Sequence, residues 1–287
     1  MINLDSNLNN TQTIKAIKKR RKLKLWVWIL LLTICCTILF ISLIEIFFWQ
    51  KDNNKTGKII NEVINDTEVM EVYDSENTEN VNPPEDYDND YWYYITFPLI
   101  NVDFTQLLEK NSDTVAWINM ENTNINYPVV QTNNNDYYLT HSYDNNYNEA
   151  GWVFLDYRNS ADLSDRNSII YAHSRLNKTM FGSLSKVLSE SWFSNKDNHI
   201  IRLSTPYENT LWQIFSVYII PTENYYITTS FTDATFSQYL SIVTNRSKFN
   251  FNTNVSINDK LLTLSTCYSD SERTVVHAKL IKRETRN

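Results

Sequence analysis

The chain of 287 residues contains three cysteines, and one of them, Cys267, stands alone in its polar part. It closes the apolar and β-branched run LLTLSTC at 261–267, which predicts a strand. Because this part has no second cysteine, no intramolecular disulfide is available to it. An unpaired thiol is either buried and inert or chemically reactive. Its position at a predicted strand end favours the reactive interpretation and makes Cys267 a candidate nucleophile.

Six residues later, Arg273 precedes a second β-rich run, TVVHAKLI at 274–281. Two such runs joined by a short polar connection predict a hairpin. Paired strands lie about 5 Å apart, so a cation at the start of the second strand can lie beside the thiol. Such a cation can stabilise a carbonyl oxygen that becomes negative during acyl transfer. The alternative for Arg273 is a surface ion pair with Asp270 or Glu272.

A cysteine nucleophile also needs a proton-transfer partner, since a thiol with a pKa near 8.5 is only a few per cent ionised at pH 7. Histidine is the natural candidate, and the chain has four. His173 follows the β-rich run 167–172 at a predicted strand exit, where functional residues concentrate. His141 in a polar loop, His199 at a strand start and His277 in mid-strand are better explained by solvation or packing. The residues therefore favour His173.

The segments around these residues resemble the class B sortases. TLSTC at 263–267 followed by Arg273 resembles the sortase signature TLxTC…R, and VVHAK at 275–279 is similar to the class B tail. Five further segments resemble class B landmarks in the same order: YPVVQ at 127–131, DYYL at 136–139, DYRN at 156–159, IIYAH at 169–173 and MF at 180–181. Ala172 stands where the family usually has glycine.

Sortases are membrane-anchored cysteine transpeptidases of Gram-positive bacteria. The resemblance implies that Cys267 is the nucleophile, His173 the acid and base, and Arg273 the cation that steadies the oxyanion. It also implies a peptide-binding set at Asn135, Leu139, Thr222, Tyr226, Ile227 and Ser265. The backbone N–H of Cys267 and a group from Thr266 are candidate oxyanion donors.

The activity implied by the resemblance is cleavage of a C-terminal, NPxT-like sorting motif in secreted proteins. The reaction would pass through a cysteine thioacyl intermediate and transfer the protein to an amine of a peptidoglycan precursor or cross-bridge. No cofactor is expected. The scattered histidines and the lone cysteine of the polar part do not form a metal-binding pattern, and the calcium dependence of some class A sortases is not expected.

Short strand-like runs separated by turn residues predict a mainly β body with flanking helices. The resemblance implies that this body is the eight-stranded sortase-type β-barrel with N-terminal helices. The predicted strands are 115–118, 125–130, 152–155, 168–172, 199–203, 211–220, 261–266 and 274–281. Apolar residues at helical spacing predict a helix at 180–188 and another beginning near Asp233, and Asp103 can cap a third.

The N-terminal part predicts a single membrane anchor. Residues 1–24 contain seven basic residues and one acidic residue, and no charged residue occurs from Leu25 to Ile44. Twenty helical residues span about 30 Å, the thickness of the hydrocarbon core of a bilayer. The basic cluster keeps the N-terminus in the cytoplasm and places the rest outside the cell. The predicted divisions are a cytoplasmic tail 1–24, a transmembrane anchor 25–49, an acidic stalk 50–92 and a catalytic domain 93–287.

The charge of the rest of the chain excludes one class of partner. It carries the remaining 19 basic and 32 acidic residues, a net charge of −13, whereas nucleic-acid binding needs a basic surface. Three other functions stay open. They are a surface thiol protease that passes the acyl group to water, a non-catalytic, membrane-tethered adhesin or sensor with the same barrel, and a pilus-polymerising role within the sortase family.

Overall fold

The protein is represented by a computed structural model that describes residues 24–73, 79–80, 89–267 and 271–286, with only the backbone at 79, 80, 89 and 267. The chain divides into two compact units, Met1–Trp49 and Gln50–Asn287. Helix α1 (Leu25–Asn65) begins in the first unit and ends in the second. Its first part contains a window of 18 residues with a mean hydropathy of 2.8, none of it buried. This helix is long and apolar enough to cross a membrane.

The last four turns of α1 pack within the second unit. Thr56, Ile60 and Val63 are buried, at the spacing of one helical face. The elements that follow are β1 (Val69–Val72), β2 (Glu79–Asn80), α2 (Asn89–Ile95), β3 (Leu99–Val102) and α3 (Thr105–Lys110). β1 and β3 form a separate antiparallel pair. The predicted stalk, 50–92, thus contains elements packed in this unit, while 74–78 and 81–88 lie outside the described residues. The boundary at 92/93 stays a prediction.

The remaining strands close into a barrel. They and the helices between them are β4 (Thr114–Met120), β5 (Asn126–Val130), β6 (Phe154–Leu155), β7 (Asn167–Tyr171), α4 (Glu190–Phe193), β8 (Ile200–Ser204), β9 (Glu208–Pro221), α5 (Asp233–Asn245), β10 (Leu261–Cys267) and β11 (Glu272–Thr285). The strand order is β10-β7-β6-β5-β4-β8-β9-β11, and β11 pairs back onto β10. The pairs β5–β6 and β7–β10 are parallel and the others antiparallel. The predicted eight-stranded barrel is confirmed.

Alternation along the strands separates an interior from an outer face. On β10, Leu262 and Leu264 join the main core inside the barrel. Outward-facing side chains of β9 and β11, such as Tyr218 and Val275, instead pack in a second cluster with α5 and the 222–232 segment. Helix α5 and this segment therefore cover one outer side of the barrel, with α5 in the cluster that contains Leu261 at the start of β10 and Tyr226 bonded to Ser265 near its end.

One predicted helix is shorter than expected. The apolar spacing predicts a helix at 180–188, but only Leu184–Leu188 is helical, as a 3-10 turn. Lys178 and Met180 have positive φ angles of 65° and 52°, which a right-handed helix does not allow. The N–H of Phe181 bonds to the carbonyl of His173 instead. The apolar residues of this segment are core residues on a loop, a pattern that periodicity alone does not separate from a helix.

Candidate active site

Three neighbouring strands end at the same edge of the barrel and bring the candidate catalytic residues together. Cys267, the last residue of β10, pairs directly with Arg273 at the start of β11. On the other side of β10, the parallel register with β7 aligns Ser265 with Tyr171. Cys267 and His173 each lie two residues beyond that aligned pair. Because adjacent strands are about 5 Å apart, the backbones of all three residues meet at this edge. The side chain of Cys267 lies outside the described part of the structure.

The His173 imidazole is held from one side. Its Nε2 lies 2.8 Å from the carbonyl oxygen of Leu139. A carbonyl only accepts, so Nε2 carries a proton and donates it, and Nδ1 takes no part in this hydrogen bond. Leu139 was predicted to bind substrate, and its backbone also orients the histidine.

Two of the three glycines pack against backbone beside this contact. Gly151 has a φ of 58°, and a Cβ there would lie 2.4 Å from the carbonyl oxygen of Tyr138 and 2.8 Å from that of Leu139. A Cβ on Gly182 would lie 2.2 Å from the carbonyl oxygen of Arg175, two residues after His173. Only glycine permits these approaches. Both segments that meet at the His173–Leu139 hydrogen bond therefore depend on a glycine.

Arg273 is partly buried at the barrel edge. Its backbone pairs with Cys267 on one side and with Ile220 of β9 on the other. Its Nη1 donates to the carbonyl of Glu272 at 3.0 Å. The backbone of Arg273 thus lies beside that of Cys267 at the start of β11, where the sequence predicts an oxyanion-stabilising cation.

A surface groove of about 520 Å³ contains part of the predicted peptide-binding set. Its lining residues are Asn135, Tyr157, Arg158, Asn224, Ile227, Thr228, Thr229 and Ser230. Asn135 and Ile227 were predicted from the sequence. The side-chain oxygen of Asn135 accepts from the backbone N–H of Tyr157 at 3.0 Å, which fixes the orientation of its amide.

Four other predicted residues are not among the lining residues of this groove and belong to β10 or form bonds near the ends of β10 and β11: Thr222, Tyr226, Ser265 and Thr266. Tyr226 and Ser265 are buried and their hydroxyls are 3.0 Å apart, which links the 222–232 segment to β10. Thr222 donates its backbone N–H to the carbonyl of Ser271 at 3.0 Å, beside the start of β11. The Thr266 hydroxyl is buried and has no hydrogen-bond partner among the described residues. Strand alternation turns it toward the barrel interior with Leu264, so an oxyanion donor from this residue would come from its main chain.

Comparison with known proteins agrees with this geometry. Residues 118–281, more than half of the chain, match the sortase domain family. Sortase B of Listeria monocytogenes is 38% identical over 186 residues, which cover 62% of this chain and 73% of that protein. Sortase B of Staphylococcus aureus is 35% identical over 184 residues, covering 62% and 75% respectively.

This chain belongs to the sortase family, in class B.

Solved structures agree with this assignment. Sortase B of Bacillus anthracis in complex with AAEK1 superposes on this sortase with a TM-score of 0.64 and 33% identity, covering 81% of this chain and 99% of the other. A Staphylococcus aureus sortase B–substrate complex gives a TM-score of 0.59 and 35% identity, covering 62% and 84%. The sortase is therefore a cysteine transpeptidase that acts in cell-wall anchoring. Its relatives act on proteins with sorting signals and on cell-wall amines.

Sequence reasoning missed a buried ionic cluster next to the groove of this sortase. The Asp156 carboxylate is fully buried and receives two hydrogen bonds from the Arg158 guanidinium, at 2.8 and 2.7 Å, and one from the Tyr171 hydroxyl at 2.9 Å. Burial favours the neutral acid, but hydrogen bonds from Arg158 and Tyr171 outweigh it and hold the pKa of Asp156 below its usual value. The hydrogen bond to Asp156 raises the pKa of Arg158, which stays charged. The Asp-x-Arg spacing in the segment DYRN at 156–159 could have indicated this ion pair, but the segment was interpreted only as a landmark of the family.

The other three histidines of the sortase have structural contacts. His277 is fully buried, and burial lowers its pKa to about 3. His199 is also buried with a lowered pKa and packs against Phe193. His141 stacks on Tyr137 with ring centroids 4.1 Å apart. Among the described residues no group of three or more His, Cys, Asp or Glu could hold a metal ion.

Proposed function

We propose that this sortase cleaves an NPxT-like motif near the C-terminus of secreted proteins and transfers them to an amine of a peptidoglycan precursor or cross-bridge. The observation that carries the proposal is the meeting of three strand ends. Cys267 at the end of β10 pairs with Arg273 of β11, and β10 also pairs in parallel with β7, the strand that precedes His173. A nucleophile, a proton carrier and a cation at one barrel edge are the groups that acyl transfer needs.

In the proposed reaction, the Cys267 thiolate attacks the carbonyl carbon of the scissile peptide bond. Arg273 and backbone N–H groups stabilise the oxyanion that forms. His173 gives its proton to the departing amine, and the carbon–nitrogen bond breaks to leave a thioester on Cys267. His173 then accepts a proton from the incoming amine as that amine attacks the thioester. A new amide forms and the thiolate is released, so the enzyme returns to its starting state.

The groove supplies the peptide site in this proposal. Asn135 presents an amide that its contact with Tyr157 holds in one orientation, and Ile227 supplies an apolar surface. In this proposal the peptide extends from the groove past Leu139, Thr222 and the Tyr226–Ser265 pair toward the strand ends, where the Thr266 main chain adjoins the nucleophile. A motif lying along these residues would bring its scissile bond to the barrel edge.

The proposed location is the outer face of the cell membrane. The first part of α1 would cross the bilayer, with the basic residues 1–24 in the cytoplasm and the barrel outside. Both reactants are found at that surface, since the protein substrate is secreted and the amine belongs to the cell wall.

The full chain in detergent, given a fluorogenic NPxT-like peptide and an excess of an amine acceptor, tests the reaction. We expect cleavage and an amine-ligated product from the wild type and no cleavage from Cys267→Ala. His173→Ala should lower kcat/KM by about a thousandfold, within the range of general acid–base catalysis. His141→Ala is the matched control and should keep wild-type turnover, because His141 contacts Tyr137 instead of the strand ends.

Each alternative outcome has a clear meaning. Cleavage by Cys267→Ala would overturn the mechanism. A hydrolysed product without ligation, at saturating amine, would indicate a thiol protease. No cleavage of any sorting peptide, with no reaction of Cys267 with a thiol probe near neutral pH, would indicate a binding domain.

A further inference from the structure

Three successive backbone carbonyls in the groove wall are each bound by a side chain from a different part of the fold. The wall contains the 3-10 turn Tyr225–Ile227 and the residues that follow it. The Tyr239 hydroxyl on α5 donates to the carbonyl of Tyr226, Arg158 Nη2 donates to that of Ile227, and Asn167 Nδ2 on β7 donates to that of Thr228. All three bonds are 2.9 Å long. Carbonyls of a surface turn ordinarily face water, so this wall is unusually tightly held.

Each of these donors is itself fixed by buried contacts. Arg158 is held by its two bonds to the buried carboxylate of Asp156. Tyr239 is buried among α5 and the outer face of the barrel, and its hydroxyl also accepts from Asn167 at 3.2 Å. The three donors therefore have little freedom to follow the turn if the turn moves.

A chain of hydrogen bonds determines which way the Asn167 amide faces. The Tyr218 hydroxyl lies 2.7 Å from His277 Nε2, and His277 Nδ1 lies 2.8 Å from the Thr263 hydroxyl. Thr263 donates to Asn167 Oδ1 at 2.6 Å. Since that hydroxyl has a single proton, it accepts from His277 Nδ1–H, and Tyr218 donates to Nε2. The amide oxygen of Asn167 is thereby engaged, and its NH₂ group faces the carbonyl of Thr228.

We propose that Tyr239, Asn167 and Arg158 are positioning residues that hold the 225–228 turn as a pre-formed wall of the peptide groove. This inference rests on the proposed function, because it assigns the groove to the sorting peptide. The carbonyls of Tyr226, Ile227 and Thr228 are used internally and do not pair with the peptide backbone. The wall instead meets the peptide through the Ile227 side chain and the polar groups of the groove rim. Because the wall is ordered before the peptide binds, the free energy of binding does not include an entropic cost for ordering the wall.

The variant Tyr239→Phe tests the proposal, because it removes one buried hydroxyl and Tyr239 does not line the groove. Arg158 does line the groove, so its substitution would mix positioning with direct contact. The matched control is Tyr94→Phe. Tyr94 is also buried, its hydroxyl lies 2.9 Å from His199 Nδ1, and it belongs to a third hydrophobic cluster that does not include the turn.

Two measurements on the full chain in detergent are compared among wild type, Tyr239→Phe and Tyr94→Phe. The first is steady-state transpeptidation of an NPxT-like peptide. Tyr239→Phe should raise KM for the peptide about fivefold and leave kcat within about twofold, since the reacting groups are untouched. Tyr94→Phe should change neither. The second is hydrogen exchange at the amides of Ile227 and Thr228, which close the turn through bonds to Asn224 and Tyr225. Exchange should speed up in Tyr239→Phe alone.

Unchanged exchange and an unchanged KM in Tyr239→Phe would overturn the proposal, as would an equal rise of KM in both variants. If the wild type processes no sorting peptide, the proposed function fails, and the exchange measurement still decides whether Tyr239 holds the turn. If Tyr239→Phe does not fold, Arg158→Lys replaces it. Lysine keeps the charge but has one donor centre, so faster exchange at Ile227 and Thr228 is again expected, and wild-type exchange would contradict the proposal.

Discussion

At the scale of single residues, the outer face of the barrel beside β10 is unusually rich in buried polar groups. Asp156, Asn167, Thr263 and His277 are all buried, and each has hydrogen-bond partners of the matching kind. Such groups cost several kcal/mol if left unpaired, so a fully satisfied set specifies one arrangement of the elements that carry it. The elements concerned are those that carry the candidate active site and the groove wall.

His277 should make the stability of this sortase depend on pH. It packs between the rings of Tyr218, Tyr239 and Phe215, and burial alone lowers its pKa to about 3. In the unfolded chain its pKa is about 6.5. The folded protein therefore binds fewer protons than the unfolded one between these values. The stabilisation is fully present above pH 6.5 and is lost as the pH falls toward 3.

The expected loss from His277 between pH 7 and pH 5 is about 2 kcal/mol in the free energy of unfolding. Urea denaturation of residues 50–287 at several pH values measures it. His277→Gln should be less stable at pH 7 but should show a shallower decline over the same interval. His199, whose pKa is also lowered by burial, remains in both proteins and cancels in the comparison. Equal slopes in the two proteins would contradict the assignment.

At the scale of elements, the last turns of α1 are a part of the barrel unit. Thr56 is within hydrogen-bond distance of Asn148, and Ile60 and Val63 belong to the main core. Asp52 forms an ion pair with Arg175 at 2.7 Å, in the loop that follows His173. The helix thus contacts the segment that holds one candidate catalytic residue, and we expect the unit to depend on it.

Val63→Ala measures the contribution of this helix to stability. Val63 is 3% exposed, and truncation of a buried valine leaves a cavity, so we expect a loss of about 2 kcal/mol in the free energy of unfolding of residues 50–287. Asn61→Ala, two residues earlier on the exposed side, is the matched control and should change the stability by less than about 0.5 kcal/mol. A similar small change in both variants would mean that the helix is only loosely attached.

At the scale of the whole molecule, charge and hydropathy divide the chain into parts suited to different surroundings. Residues 1–24 are basic, the following helix is apolar, and the rest of the chain is acidic. This order agrees with a single-pass protein whose N-terminus is cytoplasmic. The sortase family acts at the cell surface, as this orientation requires.

A membrane-impermeant maleimide applied to intact protoplasts tests the orientation. Cys267 is the only cysteine of the chain beyond residue 36, so it should be labelled from outside when the barrel is extracellular. Cys267→Ala should lose the label, since Cys35 and Cys36 lie within the proposed span. Labelling only after the membrane is broken would reverse the proposed topology.

Contacts between segments close in the sequence were predicted more successfully than contacts between segments far apart in it. The β10–β11 hairpin and its pairing of Cys267 with Arg273 were predicted from two β-rich runs and a short connection. The helix predicted at 180–188 was not found in full: Met180, its first residue, has a positive φ angle, and only Leu184–Leu188 is helical, as a 3-10 turn. The role of DYRN was missed, because the burial of Asp156 depends on residues far away in the chain.

The sequence alone indicated the class of chemistry, the family and a mainly β body, because a lone cysteine, ordered motifs and strand-like runs are local properties. The eight-stranded barrel followed from the resemblance that those motifs carry. The sequence also determined the apolar span, which depends only on length and composition. Tertiary structure alone decided that Tyr239, Arg158 and Asn167 meet at three successive carbonyls. Those residues are 13, 69 and 61 positions away from their partners. No local pattern records such contacts, because they arise only when the closed barrel and α5 bring separate segments together.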